Sequence, residues 1–265
     1  MFPPQLKPIM SKSELFYECY DILFGSKKFD EEIDCLVNIA KGYLSTPIEQ
    51  ILEIGCGTGN HSIELAKKGI KVDALDTDFK MLEIAKQKII YSNISGIEFY
   101  HCSIEKFKGR GYLLATSLFN VVTYLQNSAD LFSFMISVHE VLDPKGLFVF
   151  DCWNGVAAIL DPPVTKTFST EIIDKKVDCS ISSKTDFFNQ VTKLTYNVVV
   201  HRNEGNISEE GMHSFDQHLW TPQQIVSAVE NAGFHVRSIC PAFQPTKLAT
   251  EKDWKVMFIC QKLDS

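Results

Sequence analysis

Clustered cysteine is missing from this sequence. The chain of 265 residues holds 8 cysteines, spread from Cys19 to Cys260, and no two form a CxxC pair. That spacing excludes a zinc ribbon or finger. Scattered thiols in apolar runs read as small hydrophobes kept reduced. Long hydrophobic runs are absent too: none approaches the ~20 residues needed to cross a bilayer as a helix. The opening MFPPQLKPIM has neither a basic stretch nor an apolar stretch behind it, so no secretory signal is expected and a cytoplasmic location is. Basic charge is in deficit. With 26 Lys+Arg against 33 Asp+Glu, the net charge of −7 counts against a nucleic-acid partner. Neither an internal repeat nor a low-complexity tract occurs. What remains is ordinary: 45% hydrophobic and 22% charged residues, as in a globular protein. The length suits one elaborated α/β domain, or a domain with a large insertion.

Residues 11–45 carry two helical stripes, separated by Gly25 and closed by Pro47. From 50 to 152 short apolar strands alternate with helices. The strands are 51–55, 70–76, 97–102, 112–119 and 146–151; the helices start near Asn60, Asp78 and Ser128. Such alternation means βαβ units and a parallel sheet. Between 161 and 220 the pattern changes to period two, as in VDCSIS (177–182) and VTKLTYNV (191–198), which predicts antiparallel strands with one wet face. Thr221-Pro222-Gln223-Gln224 is a capping box with proline at the first helical position. Gly233 stops that helix, and strands near 234–240 and 254–260 finish the chain. The expected domains are therefore 1–160, a flap at 161–220, and a return to the core at 221–265.

The segment Glu53-Ile54-Gly55-Cys56-Gly57-Thr58-Gly59-Asn60 carries the chemistry. It joins the first strand to the helix that follows, where glycines let the backbone turn sharply and approach a ligand. The helix start offers unpaired N–H groups. Asp76 ends the second strand, where a carboxylate can accept both hydroxyls of a ribose. The dinucleotide fingerprint G-x-G-x-x-G fails, because its third glycine falls on Asn60.

The G-x-G-x-G spacing with Glu53 upstream resembles motif I of the class I S-adenosylmethionine (SAM) methyltransferases. Asp76-Thr77-Asp78 with Met81-Leu82 resembles the segment that follows the family's second strand. Tyr20-Asp21-Ile22-Leu23-Phe24, Phe119-Asn120 with Tyr124-Leu125, and Phe150-Asp151-Cys152-Trp153 resemble a subgroup of deoxyamino-sugar and other small-amine N-methyltransferases. The resemblance implies a Rossmann-like, doubly wound, mostly parallel seven-stranded sheet with helices on both faces. An antiparallel flap would follow strand five. It also implies a cofactor set. Glu53, Gly55, Cys56, Gly57, Asn60 and His61 would surround the methionine end, and Asp76 the ribose. Thr77, Met81, Cys102, Ser103 and Ile104 would lie by the adenine, and Leu118, Phe119, Tyr124 and Tyr20 near the sulfonium.

Candidates for work on the acceptor are Tyr20, Asn120, Trp153 and His218, the last two placed at the end of strand five and just before the final helix. None is an obvious strong base, which favours an amine acceptor over an alcohol. Asp161-Pro162-Pro163-Val164 resembles an adenine-N6 methyltransferase motif, but it stands after the wrong strand and has Val164 where an aromatic is needed. No metal site is expected, since His213 and His218 lack a third ligand at a suitable spacing. The expected function is methyl transfer from SAM, yielding S-adenosylhomocysteine (SAH), to a small molecule, most readily an amine of an amino sugar or amino-acid-like metabolite. O-methylation of a small metabolite, an NAD(P)-dependent oxidoreductase and a non-catalytic SAM-binding protein are the alternatives. The partner is a small molecule rather than nucleic acid or membrane, with a homodimer through the flap as an expected assembly.

Overall fold

The computed structural model describes residues 13–173, 175–202 and 207–263. Two compact units emerge, one holding the described residues of 28–162, 186–192 and 217–265. Its centre is a seven-stranded sheet. The strands are β1 (Gln50–Ile54), β2 (Lys71–Asp76), β3 (Ile97–His101), β4 (Tyr112–Ser117), β5 (Leu142–Trp153), β10 (Phe234–Pro241) and β11 (Lys255–Lys262). Their order is β10-β11-β5-β4-β1-β2-β3. All run parallel except β11, which pairs antiparallel with both β5 and β10. The sheet is the Rossmann-like, mostly parallel seven-stranded arrangement expected from the sequence.

Alternation along β5 explains how one strand serves two cores. Phe148, Phe150 and Cys152 enter a cluster with Leu131, Met135 and Val138 of α5 (Ser128–Val141) and with Ile225 and Val229 of α7 (Pro222–Asn231). Phe150 stacks flat on Phe258 of β11, with ring centroids 5.0 Å apart. Leu147 and Val149 point the other way. They join Ile33 and Leu36 of α2 (Phe29–Tyr43), Leu65 of α3 (Asn60–Lys67) and Leu82 of α4 (Phe79–Tyr91). Burial on both faces is why these strands read as near-continuous apolar runs.

Caps set the helix starts where the sequence put them. Asp78 accepts from the backbone N–H of Lys80 at 2.9 Å. The Thr221 N–H donates to Gln224 Oε1 at 2.8 Å, and the Gln224 N–H to Thr221 Oγ1 at 3.3 Å, closing the reciprocal box. Asp143-Pro144-Lys145-Gly146 has the composition of a turn, but it is absorbed into the start of β5, where Lys145 takes a positive φ of 63° and the pairing with β4 shifts register. A short helix, α6 (Gly155–Leu160), follows β5, which the sequence did not announce.

The second unit holds the described residues before 28, 163–185 and 193–216. Four strands form its sheet in chain order: β6 (Lys166–Ile172), β7 (Lys175–Asp186), β8 (Val191–Arg202) and β9 (Ile207–His218). The last residues of β9, Gln217 and His218, count with the first unit. Helix α1 (Glu14–Leu23) groups with this sheet. Phe16 stacks on His213 at 4.4 Å, and Glu18 pairs with Lys175 at 2.7 Å and Arg202 at 3.0 Å. Among the described residues no helix is long and apolar enough to cross a membrane.

Candidate functional site

The strand order reverses between β1 and β4, since the chain runs outward through β2 and β3 before returning to β4. In open α/β sheets, ligands bind beyond the carboxyl ends of the strands at such a point. The loop after β1 and the loop after β4 meet there. Gly55 sits at φ 76°, and a Cβ on it would come within 2.5 Å of the Val121 side chain. Gly57, at φ 55°, differs: nothing lies within 4 Å of where its Cβ would be. One glycine is needed for the fit of two loops. The other leaves open space beside a turn.

Asp76 closes that space from β2. Its Oδ2 accepts the Gly57 N–H at 2.7 Å and its Oδ1 accepts the Asp78 N–H at 2.8 Å. Burial raises its pKa, and the backbone amides of Asp78, Gly57 and Thr77 pull against that rise. A carboxylate has about four acceptor positions, so these amides leave acceptor capacity for a hydroxyl donor. An orienting carboxylate beside an open-sided glycine turn is a lining that fits an adenosyl cofactor.

Glu53 and His61, both expected around the cofactor, face one another inside a buried relay. The Ser62 hydroxyl donates to Glu53 Oε2, His61 Nδ1 stands 3.8 Å from Glu53 Oε1, and His61 Nε2 lies 2.7 Å from Glu32 Oε2 of α2. Burial lifts the Glu53 pKa, countered by His61 and Ser62. The relay fixes the first turn of α3 under the glycine loop. Cys56 is buried in that loop, and its thiol is pushed well up. Asn60 is tied to Lys88 of α4 through its side-chain oxygen.

Past β2, Thr77 is exposed, and its carbonyl lies 3.1 Å from His101 Nε2. Met81 follows in the first turn of α4, its N–H on Asp78. Cys102 and Ser103 are half-buried after β3, and Ile104 is buried at the start of a short 3-10 turn. Leu118 is buried after β4, and Tyr124 is half exposed. Tyr20 lies on α1, in the other unit, with its ring 5.8 Å from Phe16.

The β4 loop is conformationally unusual. Phe119 and Asn120 are both left-handed, at φ 71° and 63°, although neither is glycine. Such pairs persist only where surroundings hold them, and they concentrate at functional sites. The Asn120 N–H is held by Asp151 Oδ1 at 3.0 Å, and the Asn120 carbonyl accepts from Thr123 Oγ1 at 2.6 Å. Lys255 sets its ammonium 4.9 Å from the centre of the Phe119 ring. Trp153 meets Trp254 edge to face at 5.6 Å. His218 is buried against Trp220, with ring centroids 3.8 Å apart. Its pKa is lowered by burial, and neither ring nitrogen has a hydrogen-bond partner among the described residues. Asp151 entered the sequence analysis only inside the resembling segment Phe150-Asp151-Cys152-Trp153, with no role of its own, and Lys255 was not singled out. Asp151 left one signal, a carboxylate inside the apolar run Leu147–Trp153.

Comparison with known proteins agrees with this geometry. Residues 51–146 match the family model described as a methyltransferase domain. A Bacillus subtilis protein, provisionally named a methyltransferase, is 24% identical over 80% of this chain and 84% of its own. A Geobacillus sp. relative, also provisionally named a methyltransferase, is 28% identical over 52% of this chain, which spans only 56% of that relative's length. Among solved structures, a SAM-bound amino pentose methyltransferase from Micromonospora echinaspora superposes with a TM-score of 0.72, at 17% identity over 98% of this chain and all of that one. A sugar N-methyltransferase from Streptoalloteichus sp. gives 0.76, at 17% identity over all of this chain and 96% of that one.

Proposed function

We propose that this chain, with its methyltransferase domain at residues 51–146, transfers a methyl group from SAM to a small molecule, and that the acceptor atom is an amine nitrogen. The observation that carries the cofactor reading is the Asp76 carboxylate on the Gly57 amide, beside open space at a positive-φ glycine. The failed dinucleotide spacing at Asn60 argues against a nicotinamide cofactor. The amine reading draws support from structural neighbours named as sugar N-methyltransferases and amino pentose methyltransferases. The absence of a strong base among the expected acceptor residues points the same way.

When bound, SAM supplies an electrophilic methyl group, and the protein has only to position and solvate the acceptor. Good alignment alone can supply roughly 7–11 kcal/mol of the barrier. Asn120, presented by a left-handed loop, orients the acceptor nitrogen. Trp153, at the end of β5, packs against the acceptor's apolar side. His218, disposed by burial to the neutral form, accepts a hydrogen bond from the acceptor amine through an unpartnered ring nitrogen. Tyr20 as a cover over the sulfonium rests on the sequence resemblance alone.

The test is a thermal-shift panel with SAM, SAH, NAD and NADP. A ligand that binds only the folded state raises Tm by mass action. Stabilisation by SAM and SAH alone is expected, and it should vanish in Asp76→Ala while that variant melts cooperatively. A shift with a dinucleotide alone overturns the cofactor reading. Transfer of labelled methyl to hydroxyl acceptors but not to amines overturns the amine reading.

A further inference from the structure

Buried polar groups are nearly always satisfied, and a buried carboxylate oxygen left bare is costly. Asp151 is fully buried, 0% exposed, at the carboxyl end of β5. One of its oxygens holds the Asn120 amide; Oδ2 has no hydrogen-bond partner among the described residues. Asn120 is 6% exposed, and its side-chain Oδ1 is bare as well. Both vacant groups are acceptors. They stand at adjoining strand ends, next to the β1–β4 reversal and the loop pressed against Gly55. A pair of vacant acceptors, one of them a carboxylate, calls for a ligand group rich in N–H and able to carry positive charge. A hydroxyl, with one O–H and no positive charge, cannot serve both.

We propose that Asp151 is a specificity-determining residue for the acceptor, its free carboxylate oxygen receiving an N–H of the amine that is methylated. This rests on the amine reading above and adds the group that would enforce it. In the transfer the acceptor's lone pair forms the new N–C bond as the C–S bond breaks, and the C–S electron pair stays on sulfur. Positive charge passes from sulfur to nitrogen. The N–H on Asp151 becomes more acidic as that happens, so its bond to the carboxylate strengthens toward the transition state. Preference for the amine and acceleration of the step then share one origin.

The test needs no knowledge of the natural acceptor. Sinefungin replaces the methylsulfonium of SAM with a carbon bearing a primary ammonium, which puts N–H donors where the acceptor nitrogen and methyl meet. Its affinity is compared with that of SAH by calorimetry. Wild type should bind sinefungin at least about tenfold more tightly than SAH, as expected of a charge-assisted bond in a dry site. Asp151→Asn keeps an oxygen for the Asn120 N–H, so SAH affinity and melting should hold while the preference for sinefungin falls to within about threefold. A wild type that binds both ligands equally overturns the proposal without reference to any variant, and so does an undiminished preference in Asp151→Asn. Failure to bind SAH at all is a different result: it removes the cofactor reading on which this inference stands.

Discussion

At the residue scale, steric and electrostatic demands separate groups that look alike in sequence. The glycine loop was legible because only glycine suits several positive-φ positions in succession, but the sequence could not divide the labour among them. Gly55→Ala forces a Cβ into Val121 and strains a φ of 76°. It should lower stability by about 1–3 kcal/mol, and Val121→Ala should restore part of that loss in chemical denaturation. His218 makes a second prediction. Its folded pKa lies below its ordinary value of 6.5 because burial disfavours the cation. Below pH 6.5 the unfolded chain therefore takes up the proton first, and stability falls as pH drops. Melting followed from pH 7.5 to 5 should show a shallower fall in His218→Gln than in wild type. At constant pH, the same variant should lose turnover more than SAM affinity. Asp151 stood in a resembling segment but its role was not legible, because a lone carboxylate in a strand gives no spacing to interpret; burial and an unfilled oxygen mark it out.

At the element scale, local rules sufficed where chain neighbours decide the outcome. The strands flanked by glycine and the capped helices formed where expected. Thr221 is the clearest case, and Thr221→Ala should cost about 1 kcal/mol through the lost cap, measurable as a reduced urea midpoint with an unchanged m-value. Legibility faded where partners lie far apart in sequence. Helix α1 answers to Lys175 and Arg202 through Glu18, a pairing no periodicity encodes. Strand β6 has a mostly exposed pattern, so it lacked the alternation that revealed β7 and β8. At Asp143–Gly146 local composition favours a turn, yet strand pairing carries through it with a shift of register.

For the whole molecule, the βαβ rhythm gave a parallel sheet, and the seven-stranded form was expected from the resemblance; the strand order comes from the structure. Where the second sheet serves is less determined by its own pattern. The expectation of a homodimer through the flap becomes a measurement. Sedimentation equilibrium should give a dimer, and introducing a charge at the exposed Ile173 with Ile173→Glu should shift the protein toward monomer with the melting temperature of the core unchanged. A monomer at all concentrations removes that assembly.

The paired left-handed residues after β4 also bear on how this protein could change over generations. Glycine at either position would relax the backbone, so selection for heat resistance alone would drift toward it. Phe119→Gly would forfeit the ring beneath Lys255, and Asn120→Gly would forfeit the side-chain amide proposed to orient the acceptor. The family tree of such a protein should therefore show glycine entering this loop in lineages that have abandoned the reaction, making the loop a marker of retired enzymes.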